Sequence, residues 1–323
     1  MMTATTARTS PADAARRFLA NNGALVGLIA LCAVLALATP VFLTGPNLIN
    51  VGIQAAVVAI LGFGMTFVIV AAGIDLSVGS MAALSSMSAA WMFTNAGLPG
   101  WLALIAGLVV GGVFGAINGV ANAYLRLPSF IATLAMLSVA RGLTLVISDG
   151  RPIATPPAIN ALGGSIGPIP TPILVFVVAG IVAAFILNRT TWGRAMYAVG
   201  GNIEAARLSG IPVKKVQVLV FALSGTFAAL AGMVLAGRLN SAQPQAALGY
   251  ELDAIAAVVI GGASLAGGVG RITGTLVGAL LLAVIRNGLN ILNVSSFWQQ
   301  VVIGLVIAVA VGIDVLRRKE TSH

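Results

Sequence analysis

The chain has 323 residues, of which 59% are hydrophobic and only 8% charged, where a soluble domain carries about 25% charged residues. So little polar surface excludes a water-soluble globule, and the net charge of +9 comes without interleaved basic and aromatic residues, which excludes nucleic acid as a partner. The lone cysteine Cys32, the lone histidine His323 and lysines only at 214, 215 and 319 exclude an intrachain disulfide, a zinc site, a Ser/His catalytic pair and a P-loop; no catalytic residue, metal or cofactor is expected in this chain.

Apolar runs long enough for roughly 30 Å of hydrocarbon predict an all-α polytopic membrane protein with about ten spans. They lie near 23 to 43, 50 to 72, 77 to 94, 101 to 123, 129 to 147, 171 to 187, 216 to 237, 251 to 267, 272 to 292 and 297 to 314. Residues 1–22 and 316–323 are expected as tails flanking one membrane domain, 23–315. Placing the N-terminus inside puts Arg8, Arg16, Arg17, Arg126, Arg189, Arg194, Arg207, Lys214, Lys215, Arg271, Arg317, Arg318 and Lys319 inside. That is 13 of the 17 basic residues, which satisfies the positive-inside rule and puts both termini in the cytoplasm. Arg16 and Arg17 ahead of an apolar run ending in Ala36-Leu37-Ala38 imitate a signal peptide, but a run of about twenty residues favours an uncleaved anchor.

Between the second and third spans the sequence AAGIDLSVGS places Asp75 at a helix break. Gly73 is expected to end one helix, and Asp75 or Ser77 to cap the next. A polar contact in a transport path is the alternative, since an ionisable group inside a bilayer is costly. Gly107, Gly111, Gly115 and Gly119 recur every four residues, as do Gly274 and Gly278, which is a helix-packing signal. The alternative is that they line a pore, with Asn118 and Asn122 alongside.

Residues 148–172 hold six of the thirteen prolines. This outer loop is expected to be extended and without helix, either as a preformed surface or as a connector. The inner loop, 188–215, is expected to hold a two-turn helix from Ile203 to Ser209. Asn202 caps it, Glu204 faces the positive end of its dipole, Gly210 ends it and Pro212 forbids continuation. A helix that short must be docked on something. Glu251 and Asp253 open a span where the helix dipole favours them; a polar role in transport is again the alternative. Gln299 and Gln300 join Asn118 and Asn122 as candidate polar lining.

GIDLSVGS, AVGGNIEAARLSGI and YELDAIAAVVIGGASLAGGVGRITGTLVGALLLAVIRNGLN together resemble the permease subunits of bacterial ABC importers for ribose, xylose, arabinose and related monosaccharides. The resemblance runs in order from about residue 20 to residue 315. It implies an inner-membrane permease of a pentose such as ribose, paired with a second permease subunit. It further implies an ABC ATPase subunit below, which binds ATP and Mg, and a periplasmic substrate-binding protein above. Gly200, Gly201, Asn202, Glu204, Ala205, Ala206, Arg207, Ser209 and Gly210 match the loop through which that family contacts its ATPase. Branched-chain amino acids or nucleosides are the alternative cargo. A secondary transporter would instead use an intramembrane carboxylate at a discontinuous helix, and an intramembrane aspartyl protease would need a dyad that Asp75 and Asp314 are poorly placed to form.

Overall fold

The structure, a computed structural model, describes residues 23–321, with side chains to residue 309 and at 311 and 312. The expected N-terminal tail with Arg8, Arg16 and Arg17, the end of the C-terminal tail and the side chains of Arg317, Arg318 and Lys319 lie outside the described residues.

Each of the ten expected spans holds a helix. In chain order these are α1 (Gly23–Ala38), α2 (Gly45–Val70), α3 (Val78–Thr94), α4 (Gly100–Ala123), α5 (Ser129–Ser148), α7 (Thr171–Arg189), α10 (Val213–Leu239), α11 (Tyr250–Ile260), α12 (Ile272–Ile291) and α13 (Ser296–Thr321). Three short helices lie between them: α6 (Pro157–Gly163), α8 (Thr191–Gly201) and α9 (Ile203–Leu208). Six of the helices, α2, α4, α5, α7, α10 and α12, are long and apolar enough to cross a membrane. The chain is a multi-pass membrane protein.

Helix α2 is apolar on every side and is therefore the central post, packed by α7, α10, α11 and α12. Phe67 on α2 meets Phe227 on α10 edge-on, centroids 5.8 Å apart. Helix α3 is buried along its first thirteen residues. The outer helices α4, α5 and α7 instead expose Val109, Phe130 and Phe185, as surfaces facing lipid do. The glycine stripe of α4 lies against α10: a Cβ at Gly115 would strike the Phe221 carbonyl, and one at Gly119 the Val218 backbone. Gly274 and Gly278 likewise meet the α11 backbone at Gly261 and Ala257. Both stripes are close helix crossings rather than a lining.

Three elements differ from the sequence expectation. The span expected over 251–267 is an eleven-residue helix, α11, about 16 Å long and half the depth of a bilayer. Gly261 and Gly262 (φ 89°) end it, and residues 261–271 return as a loop to the end of α2. The proline-rich segment contains a helix, α6, because Pro157 occupies the first helical turn, where its missing N–H costs nothing, and no proline follows within the helix. Around α6 the segment is extended: β1 (Ile153–Ala154) pairs antiparallel with β4 (Ser241–Ala242), and β2 (Ser165–Ile166) turns at Gly167 into β3 (Ile169–Pro170). Helix α8 was not expected; Thr190 caps it by accepting from the Gly193 N–H at 3.1 Å.

Candidate transport and coupling site

Helix α2 stops at Val70, and the left-handed residue that turns the chain is Ala72 (φ 61°), not Gly73. Gly73 is needed for clearance, since a Cβ there would come within 2.9 Å of Val68 Cγ1 and 3.4 Å of Phe221 Cζ. Asp75 and Ser77 are buried and Ile74 and Leu76 half-buried, so their amides need partners. The Ile74 N–H donates to Ser129 Oγ (3.2 Å) and the Leu76 N–H to Thr133 Oγ1 (3.1 Å), both on α5. Asp75, 1% exposed, accepts on Oδ1 from the Ser77 N–H (2.9 Å) and Ser77 Oγ (2.6 Å), and on Oδ2 from Ser224 Oγ of α10 (2.8 Å). Asn118 on α4 donates to Ser77 Oγ at 2.9 Å. Among the described residues Asp75 has no ion pair. The result is a polar knot tying α3, α4, α5 and α10 to the break.

Asn122 is nearby but separate, donating to the Leu127 carbonyl at 3.0 Å to hold the α4–α5 turn. It borders a cavity of about 250 Å³ whose walls include Gly73, Ser129, Gly200, Asn202 and Gln217. Gln299 and Gln300 are not part of this group. They lie in the first turn of α13, at the far end of the bundle, where Gln299 donates to Asn290 Oδ1 (2.7 Å) and the Val294 carbonyl (2.9 Å) and Gln300 is exposed.

The inner-loop residues form one continuous structure. Helix α9 is capped by Asn202, whose Oδ1 accepts from the Ala205 N–H at 2.9 Å, and ends at Ser209 before Gly210 (φ 79°). Ala206 is buried; Ile203, Glu204, Ala205, Arg207 and Leu208 are exposed, Leu208 by 84%. Glu204 and Arg207 pair at 2.6 Å on that open face, a contact too solvated to matter much for stability. Behind α9, Gly200 lies so close to α2 that a Cβ would collide with the Val70 carbonyl. That carbonyl also accepts from the Gly268 N–H at 2.9 Å, and Gly267 approaches Ala72 and the Gly200 carbonyl. Tyr197 on α8 donates to the Gly270 carbonyl at 2.7 Å; burial raises its pKa above the ordinary phenol value, so it remains a donor at neutral pH. The α8–α9 unit therefore touches both interruptions in the bundle, the α2–α3 turn and the loop after α11.

In a second polar region, around Glu251 and Asp253, the arginine partners were missed from sequence. Arg141 on α5 donates through Nη1 to the carbonyls of Pro244 (2.7 Å) and Ala246 (3.0 Å), holding the irregular segment that leads into α11. Glu251 and Asp253 lie in the first turn of α11, and buried Asp253 pairs with Arg286 of α12 at 2.6 Å. The available signal was the four basic residues outside the inner set. Arg141, Arg238 and Arg286 are three of them, and arginines within apolar runs need partners.

Known proteins give these features a family. The model described as "Branched-chain amino acid transport system / permease component" matches residues 47–311. The chain is 47% identical over 304 residues to the ribose import permease protein RbsC of Haemophilus influenzae, covering 92% of this chain and 94% of that protein. It is 47% identical over 302 residues to RbsC of Bacillus subtilis, covering 90% and 92%. To the D-allose transport system permease protein AlsC of Escherichia coli it is 41% identical over 280 residues, covering 86% of each. No solved structure matches the chain. A bundle with two interruptions and a docked short-helix unit, similar over nearly its whole length to import permeases, belongs to that family of ABC transporter permeases.

Proposed function

We propose that this chain is the membrane subunit of a bacterial ABC importer that carries a monosaccharide, a pentose such as ribose, across the inner membrane. In this reading a pair of permease subunits forms the path, a periplasmic binding protein delivers the sugar, and ABC ATPase subunits bind ATP and Mg. The chain itself does no chemistry. Both termini and residues 188–215 lie in the cytoplasm, and residues 148–172 face the periplasm. The observation that carries the reading is α9, a two-turn helix with five of six residues exposed, braced from behind at Gly200 against both helix breaks. A helix of that length is not stable alone in water, and its open face suits an ATPase whose closure would push on the junction. Identity of 41–47% to ribose and allose permeases favours a sugar over the branched-chain amino acid of the family model's description.

Reconstitution of the chain with its ATPase and binding protein in proteoliposomes tests this. ATP-dependent uptake of labelled ribose, exceeding that of leucine or a nucleoside, is expected; uptake driven by a pH or sodium gradient without ATP would overturn it. The one feature shared with a secondary transporter is Asp75, a buried carboxylate at a helix break with no ion pair among the described residues.

A further inference from the structure

A second cavity, about 160 Å³, lies between α2, the end of α10, the start of α11 and α12. Its polar walls are Gln54, Arg238, Tyr250, Asp253 and Arg286. Asp253 Oδ2 takes Arg286 at 2.6 Å, while its Oδ1 takes no hydrogen bond among the described residues. The Arg286 guanidinium stands 5.8 Å from the centre of the Tyr250 ring, which fixes both groups. Gln54 and Arg238 make no hydrogen bond or ion pair among the described residues.

Half-buried Gln54 and exposed Arg238 leave polar groups at this cavity available to a ligand. The set has a definite chemistry. A carboxylate oxygen accepts from one hydroxyl, a guanidinium or amide donates to its neighbour, and an aromatic ring offers an apolar face. Neighbouring hydroxyls on a ring with an apolar C–H face are what a monosaccharide presents. With Arg286 paired to Asp253 and Arg238 exposed at the rim, the interior suits a neutral polyol; a carboxylate or phosphate would compete with Asp253 for Arg286.

We propose that this cavity binds the transported monosaccharide within the permease, so that the permease itself discriminates among sugars. The proposal rests on the sugar-import reading above. Gln54→Ala and Arg238→Gln are suitable probes because neither removes a bond that the protein makes with itself. In the complete reconstituted complex, with the binding protein unchanged, the measurements are uptake of ribose and of 2-deoxyribose and the ATP hydrolysis stimulated by loaded binding protein. Each variant is expected to lower ribose uptake roughly three- to tenfold, the weight of one hydrogen bond, and to shrink the ribose to deoxyribose ratio, with stimulated hydrolysis and thermal unfolding unchanged. Unaltered uptake and ratio in both variants would overturn the proposal. So would stimulated hydrolysis falling in step with uptake, since that marks a surface for the binding protein. If the wild-type complex transports another solute and no monosaccharide, the sugar reading fails first, and that outcome is visible before any variant is made.

Discussion

At the α2–α3 turn the buried amides of Ile74, Leu76 and Ser77 are met by hydroxyls and by the Asp75 carboxylate, with no ion pair. The segment leading into α11 is held by guanidinium groups, Arg141 on its carbonyls and Arg286 on Asp253. Both are irregular segments between helices of an apolar bundle, where unpaired backbone groups are expensive. The neutral turn borders the cavity of about 250 Å³ that it shares with Gly200 and Asn202, and the charged segment borders the cavity of about 160 Å³ lined by Gln54 and Arg238.

The largest expected effect is at the charged segment. Asp253→Ala leaves Arg286 without its partner and should cost about 3 kcal/mol, the lower end for a buried pair, because the Arg286 side chain is 30% exposed. Thermal unfolding of the purified permease reads this, and adding Arg286→Met should restore most of the loss. An unrepaired double variant would mean that Asp253 does something beyond holding Arg286.

At the neutral turn the prediction is a split between two substitutions. Asp75→Leu strands the Ser77 N–H and the Ser224 hydroxyl and should cost about 1–3 kcal/mol for each group left unpaired. Asp75→Asn keeps an acceptor for Ser77, and the Ser224 hydroxyl can turn to accept from the new amide. ATP-dependent uptake by the asparagine variant should stay near wild type with an unchanged pH profile. Loss of uptake, or a shifted profile, in a well-assembled Asp75→Asn complex would give the charge a role in driving transport and revive the secondary-transporter reading.

These two regions were unequally legible from sequence. Helix positions followed from apolar run length, and the Asn202 cap and Gly210 terminus of α9 from local chemistry alone. Asp75 stood out because a single carboxylate interrupted two apolar runs, although the left-handed residue proved to be Ala72, which carries no glycine-like signature. The loop after α11 was hidden because α11 is alanine-rich and reads as a continuous span through Gly261 and Gly262. The charged segment ahead of α11 was hidden because its partners are distant in sequence: 33 residues separate Arg286 from Asp253 and 103 separate Arg141 from Pro244. Gln299 was grouped with Asn118 on residue type alone, and topology places them at opposite ends.

The smallest effect separates Ala72 from its neighbour. Ala72→Gly relieves a left-handed alanine and should change stability by no more than about 1 kcal/mol, in the favourable direction. Gly73→Ala should destabilise, since its Cβ meets Val68 and Phe221. Equal losses at both positions would mean that the turn depends on Ala72 packing against Gly267 rather than on clearance at Gly73.

The central claim is that α9 receives the ATPase and passes its motion to the α2–α3 turn and to the loop after α11. Leu208 tests it most directly, because it is 84% exposed, so that replacing it leaves the permease fold intact. In Leu208→Asp, co-purification of the ATPase subunit and ATP-dependent ribose uptake should both fall at least roughly tenfold, the scale of a lost interface anchor, while thermal unfolding of the permease alone is unchanged. Full co-purification with full uptake would contradict the claim.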